Sequence, residues 1–289
     1  MKRKDYIWGY LMVAPMMIGL SVLFIWPIFR TTYFSFTDWG DFGRYRWTGM
    51  RNYVLLIRDP AVYRAFLHTL EFVALYVPIL VIFSTLLAVL LNQKIRGVAI
   101  YRTLYFLPVV LMPAAVGLAW KWLLNGEYGL INQLLAALHV DGLSWLTDSR
   151  TALLSVAAVA VWSMIGFQAV ILLSGLKGIS ATYYEAAAIE GAGVWAVLSR
   201  ITLPLLTPTL FFVTVTSLIS AFQLFDLVYM MIGQVAIEHA DTIVYLFYKQ
   251  AFQLNAKGYA SAVATVLFIV VLLLTALQMK LQKRWVHYD

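Results

Sequence analysis

The residue types that enzymes use for catalysis and metal binding are sparse in this sequence. The chain has no cysteine, which excludes thiol chemistry, disulfides and cysteine-bound metals. Its four histidines are His68, His139, His239 and His287. None has a second histidine four residues away, the spacing that places two ligands on one helical face, so we expect no metal site and no proton relay. No Gly-x-x-x-x-Gly-Lys-Ser/Thr phosphate loop is present, so we expect a non-enzyme without catalytic residues or a cofactor of its own.

In one segment, residues 180–204, the spacing of capping and turn residues predicts two short helices joined by a turn. Thr182 is followed three residues later by Glu185, which is the capping-box pattern at the start of a helix. The residues after this cap are rich in alanine, the strongest helix former, so we predict a short helix over 183–190.

The second half of the same segment predicts a turn and a return to apolar sequence. Gly191-Ala192-Gly193 ends the first helix, because glycine gives the backbone the freedom that a turn needs. Residues 194–201 are predicted to form a second short helix, and Pro204 suits the first turn of the next one. Residues 180–204 are therefore predicted to form a helix–turn–helix elbow. An amphipathic loop that lies against a membrane surface is the alternative.

Polar side chains recur on one face of the apolar stretch after the elbow. They are Thr209, Thr216, Ser220 and Gln223, whose spacings of seven, four and three residues share a helical face. Asp226 is predicted to continue this face. A polar solute that moved along this face would need hydrogen-bond partners and aromatic surfaces, which Trp162, Gln168 and Tyr229 could add. Helix–helix packing is the alternative, because small polar residues are frequent between membrane helices.

The composition indicates that lipid surrounds these elements. Hydrophobic residues make up 62% of the 289 residues, charged residues only 12%, and mean hydropathy is +0.81, whereas soluble domains carry roughly 25% charge. Six stretches without a charged residue are long enough to cross a bilayer as helices. They are residues 6–29, 72–93, 103–120, 151–176, 201–225 and 258–279. We therefore predict an all-α integral membrane protein with six transmembrane helices and a single domain, 1–289.

The distribution of lysine and arginine predicts the orientation of the chain. An even number of spans places both termini on one side, and that side has 11 of the 21 basic residues on fewer loop residues than the other. Because cytoplasmic loops are enriched in lysine and arginine, we expect both termini to be cytoplasmic. The first apolar run exceeds the ~7–15 residues of a signal peptide, so it is interpreted as a retained helix.

The elbow resembles the EAA loop of permease subunits from binding-protein-dependent ABC importers. The matching residues are Glu185, Ala186, Ala187, Gly191, Ile201, Leu203 and Pro204. Pro27 and four further segments resemble the first permease subunits of carbohydrate importers, such as the maltose, glycerol-3-phosphate and oligosaccharide systems. These segments are 35–39, 101–108, 225–229 and 258–262. The resemblance covers nearly the whole chain and implies the type I ABC importer permease fold.

The resemblance also implies a mechanism for the elbow. In that family the elbow is a coupling helix that sits in a groove of a cytoplasmic ATPase. Glu185 is then expected to contact the ATPase besides capping its own helix, and Gly191 to be required because a side chain would clash or straighten the elbow. Leu203 and Pro204 are expected to anchor the elbow to the fifth span.

The partners follow from the same resemblance. We expect a second related permease, two ATPase subunits that bind ATP and Mg²⁺, and an external solute-binding protein. The expected solute is a sugar or sugar-like molecule, the expected location is the bacterial plasma (inner) membrane, and no nucleic acid is expected. An ion-gradient-driven secondary transporter is the alternative, but it would more often have ionisable residues inside its spans, and the six predicted here have none.

One stretch departs from the family pattern. Related subunits often carry Gly-Gly-Pro after the equivalent of Tyr229, whereas residues 231–238 here read Met-Ile-Gly-Gln-Val-Ala-Ile-Glu. We therefore expect the outer loop after Tyr229 to differ from that of related subunits.

Overall fold

In this computed structural model, residues 3–40, 43–93, 97–232, 238 and 240–286 are described. Most of the distinctive stretch after Met231 (residues 233–237) lies outside them, as do the basic positions 2, 94 and 96 and two histidines, 239 and 287. The chain divides into two compact units. The first consists of Met1–Val62 and Leu246–Val270, and the second of Tyr63–Tyr245 and Val271–Asp289.

The described residues are mostly helical. The helices are α1 (Arg3–Leu20), α2 (Trp26–Phe34), α3 (Arg51–Arg58), α4 (Pro60–Leu91), α5 (Val98–Val110), α6 (Pro113–Leu123), α7 (Leu130–Ala137), α8 (Ala152–Gly178), α9 (Ala181–Ile189), α10 (Val194–Val197), α11 (Leu203–Phe222), α12 (Asp226–Met231), α13 (Ile243–Tyr248) and α14 (Lys257–Trp285). Two short strands, β1 (Thr37–Trp39) and β2 (Tyr45–Trp47), pair antiparallel. The sequence analysis did not predict this ribbon.

The number and order of the apolar spans agree with the prediction. Five continuous helical runs in the described part of the chain are long and apolar enough to cross a membrane. They are Trp8–Phe34, Pro60–Leu91, Ala152–Gly178, Val194–Phe222 and Lys257–Lys283. The pair α5 and α6 meets the same criterion if it is one span, so the total is up to six.

The third predicted span is not one straight helix, because α5 and α6 meet at a bend of 98°. Leu111 and Met112 are extended between the two helices, with ψ of 144° and 125°. Pro113 explains the break, since its ring disfavours the helical conformation for the residue before it. Pro113 then occupies the first position of α6, where a missing N–H costs nothing.

Two other prolines are accommodated without a break. π-Helical turns Ser21–Ile25 and Leu198–Thr202 each end two residues before a proline, Pro27 and Pro204. Leu203 N–H donates to the Leu198 carbonyl, five residues back. A wider turn of this kind relieves the clash between a proline ring and the preceding turn. The helix from Val194 to Phe222 therefore runs without interruption.

The core of the second unit follows α8, which packs against α5 and α11. Two small residues permit these close crossings. A Cβ on Gly166 would overlap the carbonyl oxygen of Tyr105 in α5, and one on Gly175 would overlap Thr209 in α11. Small residues at helix contacts are the usual device for close packing in lipid.

Candidate coupling elbow and solute cavity

The elbow, residues 180–204, begins at a different cap from the predicted one. Ser180 is the N-cap of α9, and its hydroxyl accepts a hydrogen bond of 3.3 Å from Thr182 N–H. Its backbone is extended, as an N-cap requires. The capping-box prediction for Thr182 is therefore wrong by two residues. Glu185 lies too far into the helix to cap it, and its side chain is exposed.

The end of α9 is a Schellman motif centred on Gly191. Gly191 N–H donates to the Ala188 carbonyl at 3.1 Å, and Ala192 N–H donates to the Ala187 carbonyl at 2.9 Å. Gly191 has φ of +70°, a left-handed conformation that favours glycine. A Cβ at this position would meet no atom within 4 Å. The expected steric clash at Gly191 is therefore wrong, and the backbone angle is the constraint.

The tip of the elbow exposes large apolar side chains. Ile189 is 88% exposed, Val194 84% and Trp195 80%. In contrast, Ala187 on the opposite side of α9 is buried, and Ala186 beside it is exposed. Exposed apolar residues that cluster in this way mark an interaction surface.

One face of α9 packs against the rest of the second unit. Tyr184 is half-buried, and its hydroxyl lies 3.4 Å from Thr202 Oγ1, which is itself buried. A cavity of ≈ 180 Å³ lies beside this contact, and Val89 and Asn92 near the end of α4 are among its lining residues. The elbow, which is part of the second unit, therefore packs next to unfilled space.

The exit of the elbow differs from the prediction. The predicted second short helix, 194–201, is not a separate element, because α10, the π-helical turn Leu198–Thr202 and α11 form one continuous helix. Leu203 and Pro204 lie inside this helix rather than at its start. The elbow tip and the apolar span therefore belong to one continuous helical run, Val194–Phe222.

A cavity of ≈ 270 Å³ lies at the breaks between α5 and α6 and between α11 and α12; we call it the break cavity. Three predicted path residues line it, Ser220, Gln223 and Asp226, and all three are exposed. Within the described part of the chain, their side chains form no hydrogen bond. Phe72 and Tyr76, stacked at 5.2 Å, form part of the wall. The break cavity thus combines free hydrogen-bonding groups with aromatic surfaces.

Asp226 lines the break cavity, but it lies on a different helix from the predicted one. The last residue of α11 is Phe222, so Asp226 does not continue the helical face of Ser220. It is instead the first residue of α12, where a carboxylate is favoured by the helix dipole.

The other path candidates have different surroundings. Thr216 Oγ1 donates to the Phe212 carbonyl of its own helix at 2.9 Å. Gln168 is buried, and its Nε2 donates to Ser217 Oγ at 3.3 Å, which is a helix–helix contact between α8 and α11. The structure does not bring either of them to the break cavity.

Neither of the two aromatic path candidates lines the break cavity. Trp162 packs edge-on against Trp120 at 5.4 Å and lines a separate apolar groove. Tyr229 stacks on Phe225 at 5.3 Å, and Phe225 does line the break cavity.

The sequence analysis missed an ionic cluster in the second unit. His68 Nδ1 lies 2.8 Å from Asp241 Oδ1, and Arg64 Nε lies 3.6 Å from Asp241 Oδ2. Next to it, Ile243 N–H donates to Thr69 Oγ1 at 3.0 Å. The cluster joins residues 173 positions apart, so no local spacing indicated it.

Apolar spans, an exposed elbow and a cavity with free polar groups at two helix breaks are features of a membrane transport subunit. The chain belongs to the family of binding-protein-dependent transport system inner membrane components, which residues 57–288 match. It is therefore a multi-pass membrane protein and a permease subunit of a binding-protein-dependent importer. This membership contradicts the alternative of an ion-gradient-driven secondary transporter.

Individual relatives agree with the family. The probable ABC transporter permease protein YurN of Bacillus subtilis is 33% identical over 98% of this chain and 98% of its own. The sn-glycerol-3-phosphate transport system permease protein UgpA of Yersinia pestis is 31% identical over 97% of this chain and 95% of its own. A bacterial alginate ABC transporter, crystallised with an alginate-bound periplasmic protein, has a chain of the same fold (TM-score 0.87, 21% identity, 98% and 96% coverage).

Proposed function

We propose that this chain is one of two related permeases in an ATP-driven importer of a sugar or sugar-like solute. The observation that carries the proposal is the position of the elbow and the break cavity on one helix. The exposed elbow tip includes Val194 and Trp195, at the start of the helical run, and Ser220 and Gln223 at its other end line the cavity. At 1.5 Å per residue, the 29 residues of Val194–Phe222 extend roughly 40 Å.

Energy would be coupled through the elbow. Both termini and the elbow are cytoplasmic in this proposal, and two separate ATPase subunits bind ATP and Mg²⁺. The apolar tip residues dock in an ATPase groove, and exposed Glu185 adds a polar contact. When the ATPases close, they favour one position of the elbow, and the continuous helix carries that displacement to the break cavity. The difference in binding energy between the two states is what couples hydrolysis to transport.

The break cavity would form part of the solute path. Ser220 and Gln223 offer donors and acceptors to hydroxyl groups, and the rings of Phe72 and Tyr76 offer apolar surface to the faces of a sugar. Asp226 adds one acceptor at the start of α12. The second permease completes the path from its own side. The relatives with named solutes, sn-glycerol 3-phosphate and alginate, support a carbohydrate-like solute.

Reconstitution tests this proposal. The chain is purified from native membranes with its associated subunits and placed in proteoliposomes that contain Mg-ATP, together with the co-purified binding protein. We expect ATPase subunits to co-purify and uptake of radiolabelled oligosaccharides to require both ATP and the binding protein. Absence of any ATPase from the purified wild-type complex would contradict the proposal.

A further inference from the structure

The first unit contains a cavity of ≈ 510 Å³ that the proposed transport cycle does not use; we call it the arginine cavity. It is formed by β1, α3 and the start of α14. Trp39, Arg51, Arg58, Asp59 and Tyr259 are among its lining residues. It shares no residue with the break cavity.

The frame of the arginine cavity is built by buried hydrogen bonds. Asn52 on α3 is buried, and its Nδ2 donates to the carbonyls of Ser35 and Thr37, both at 2.8 Å. On the other wall, Gly258 lies so close to the Thr37 carbonyl that a Cβ would overlap it. The ammonium group of Lys257 lies 5.5 Å from the centre of the Trp39 ring. These contacts join β1 to α3 and to the start of α14.

The charged lining residues of this cavity are two carboxylates, Asp38 and Asp59, and two arginines, Arg51 and Arg58. Asp59 is internally satisfied, because Oδ1 accepts from Ala61 N–H at 2.9 Å and Oδ2 accepts from the Tyr259 hydroxyl at 2.7 Å. The buried Nε1 of Trp39 has no acceptor among the described residues.

The two arginines of the cavity lack carboxylate partners. Arg51 and Arg58 are exposed, and neither forms an ion pair with any described residue. Asp38 at the rim is exposed and lies opposite Arg46 in the ribbon. Unpaired guanidinium groups match a carboxylate, which accepts bidentate hydrogen bonds from arginine.

We propose that the arginine cavity receives an acidic side chain of the solute-binding protein when that protein docks on the outer surface. The inference rests on the proposed function, since cytoplasmic termini place residues 37–63 outside. Residues 44–64 contain five arginines and one acidic residue, Asp59, so this stretch is net positive. A basic surface of this kind steers an acidic partner and fixes its orientation.

A charge-removal experiment tests the proposal in the reconstituted complex. Arg51→Gln/Arg58→Gln is compared with Arg44→Gln/Arg46→Gln, a matched pair outside the cavity lining, and ATPase activity is measured against binding-protein concentration. We expect the half-maximal concentration to rise about tenfold for the cavity pair and less than about twofold for the control pair. ATPase activity without binding protein should stay at the wild-type level in both, which also shows that the complexes are assembled.

Added ligands identify the source of the carboxylate. Hexaglutamate peptide should reduce binding-protein stimulation of the wild type, and the cavity pair should be insensitive to it. Free galacturonate at the same carboxylate concentration should have no effect. Competition by galacturonate would assign the cavity to an acidic solute and overturn the proposal, as would equal shifts in the two arginine pairs. If the binding protein fails to stimulate even the wild type, the proposed function itself fails.

Discussion

The elbow and the break cavity lie at opposite ends of one helical run, yet they are built in different ways. The elbow is defined by local backbone geometry, with a Ser180 cap and a Schellman motif at Gly191 within about a dozen residues. The break cavity is assembled from residues between Phe72 and Leu227 that are distant in sequence. Substitutions at Gly191 should therefore act through the backbone angle, and those in the cavity through side-chain size.

Gly191→Val should have the largest effect. A β-branched residue at φ of +70° costs about 1–2 kcal/mol or more, so the elbow shifts to another conformation. We expect solute uptake in proteoliposomes to fall about tenfold or more, with ATPase activity no longer stimulated by the binding protein.

The matched control for this substitution is Gly193→Val. Gly193 has φ of −73°, and a Cβ there would meet no atom within 4 Å, so valine is tolerated. Uptake should stay within about twofold of wild type. Equal losses in the two variants would show that the backbone angle at Gly191 is not what the elbow requires.

Ser220→Phe should have a smaller effect than Gly191→Val, and it should change solute binding rather than coupling to the ATPase. The added ring occupies part of the ≈ 270 Å³ break cavity, so we expect the uptake KM to rise about fivefold, since a loss of ~1 kcal/mol in solute binding is typical of such crowding. ATPase activity without binding protein should be unchanged, because the elbow is intact. Ser149→Phe, an exposed position outside this cavity, is the control. If the KM rises no more than in this control, Ser220 does not line the solute path.

Tyr184→Phe should have the smallest effect. It removes a hydroxyl 3.4 Å from Thr202 Oγ1, worth about 0.5 kcal/mol, so solute transported per ATP hydrolysed should fall about twofold. The neighbouring Tyr183→Phe, at an exposed position, should change nothing. In a double-mutant cycle, Tyr184→Phe added to Thr202→Val should have no further effect; additive losses would show that the two hydroxyls do not interact.

The same contrast explains which features the sequence could predict. The six spans follow from charge-free length, and the elbow from glycine spacing. The cap was placed at Thr182 because its spacing to Glu185 fits the capping-box pattern, whereas Ser180, an equally good N-cap by residue type, has Tyr183 rather than Glu or Gln three residues later. Pro113 did carry a signal for the break at Met112, since residues before proline avoid the helical conformation.

Features that depend on distant contacts could not be predicted. The merger of residues 194–201 with the fifth span depends on the π-helical turn before Pro204. Gln168 fits a solute path by type, but its burial against Ser217 depends on how α8 crosses α11. The roles assigned to Glu185 and Gly191 in coupling stay predictions.

The most direct test of coupling through the continuous helix uses the absence of cysteine from this chain. Ser220→Cys supplies a single thiol at the break cavity, and its maleimide labelling rate is measured in the assembled importer with and without Mg-ATP and vanadate. We expect the two rates to differ about fivefold, and the difference to vanish when Gly191→Val is added but to persist with Gly193→Val. An unchanged, nucleotide-dependent rate in the Gly191→Val background would contradict transmission from the elbow to the cavity.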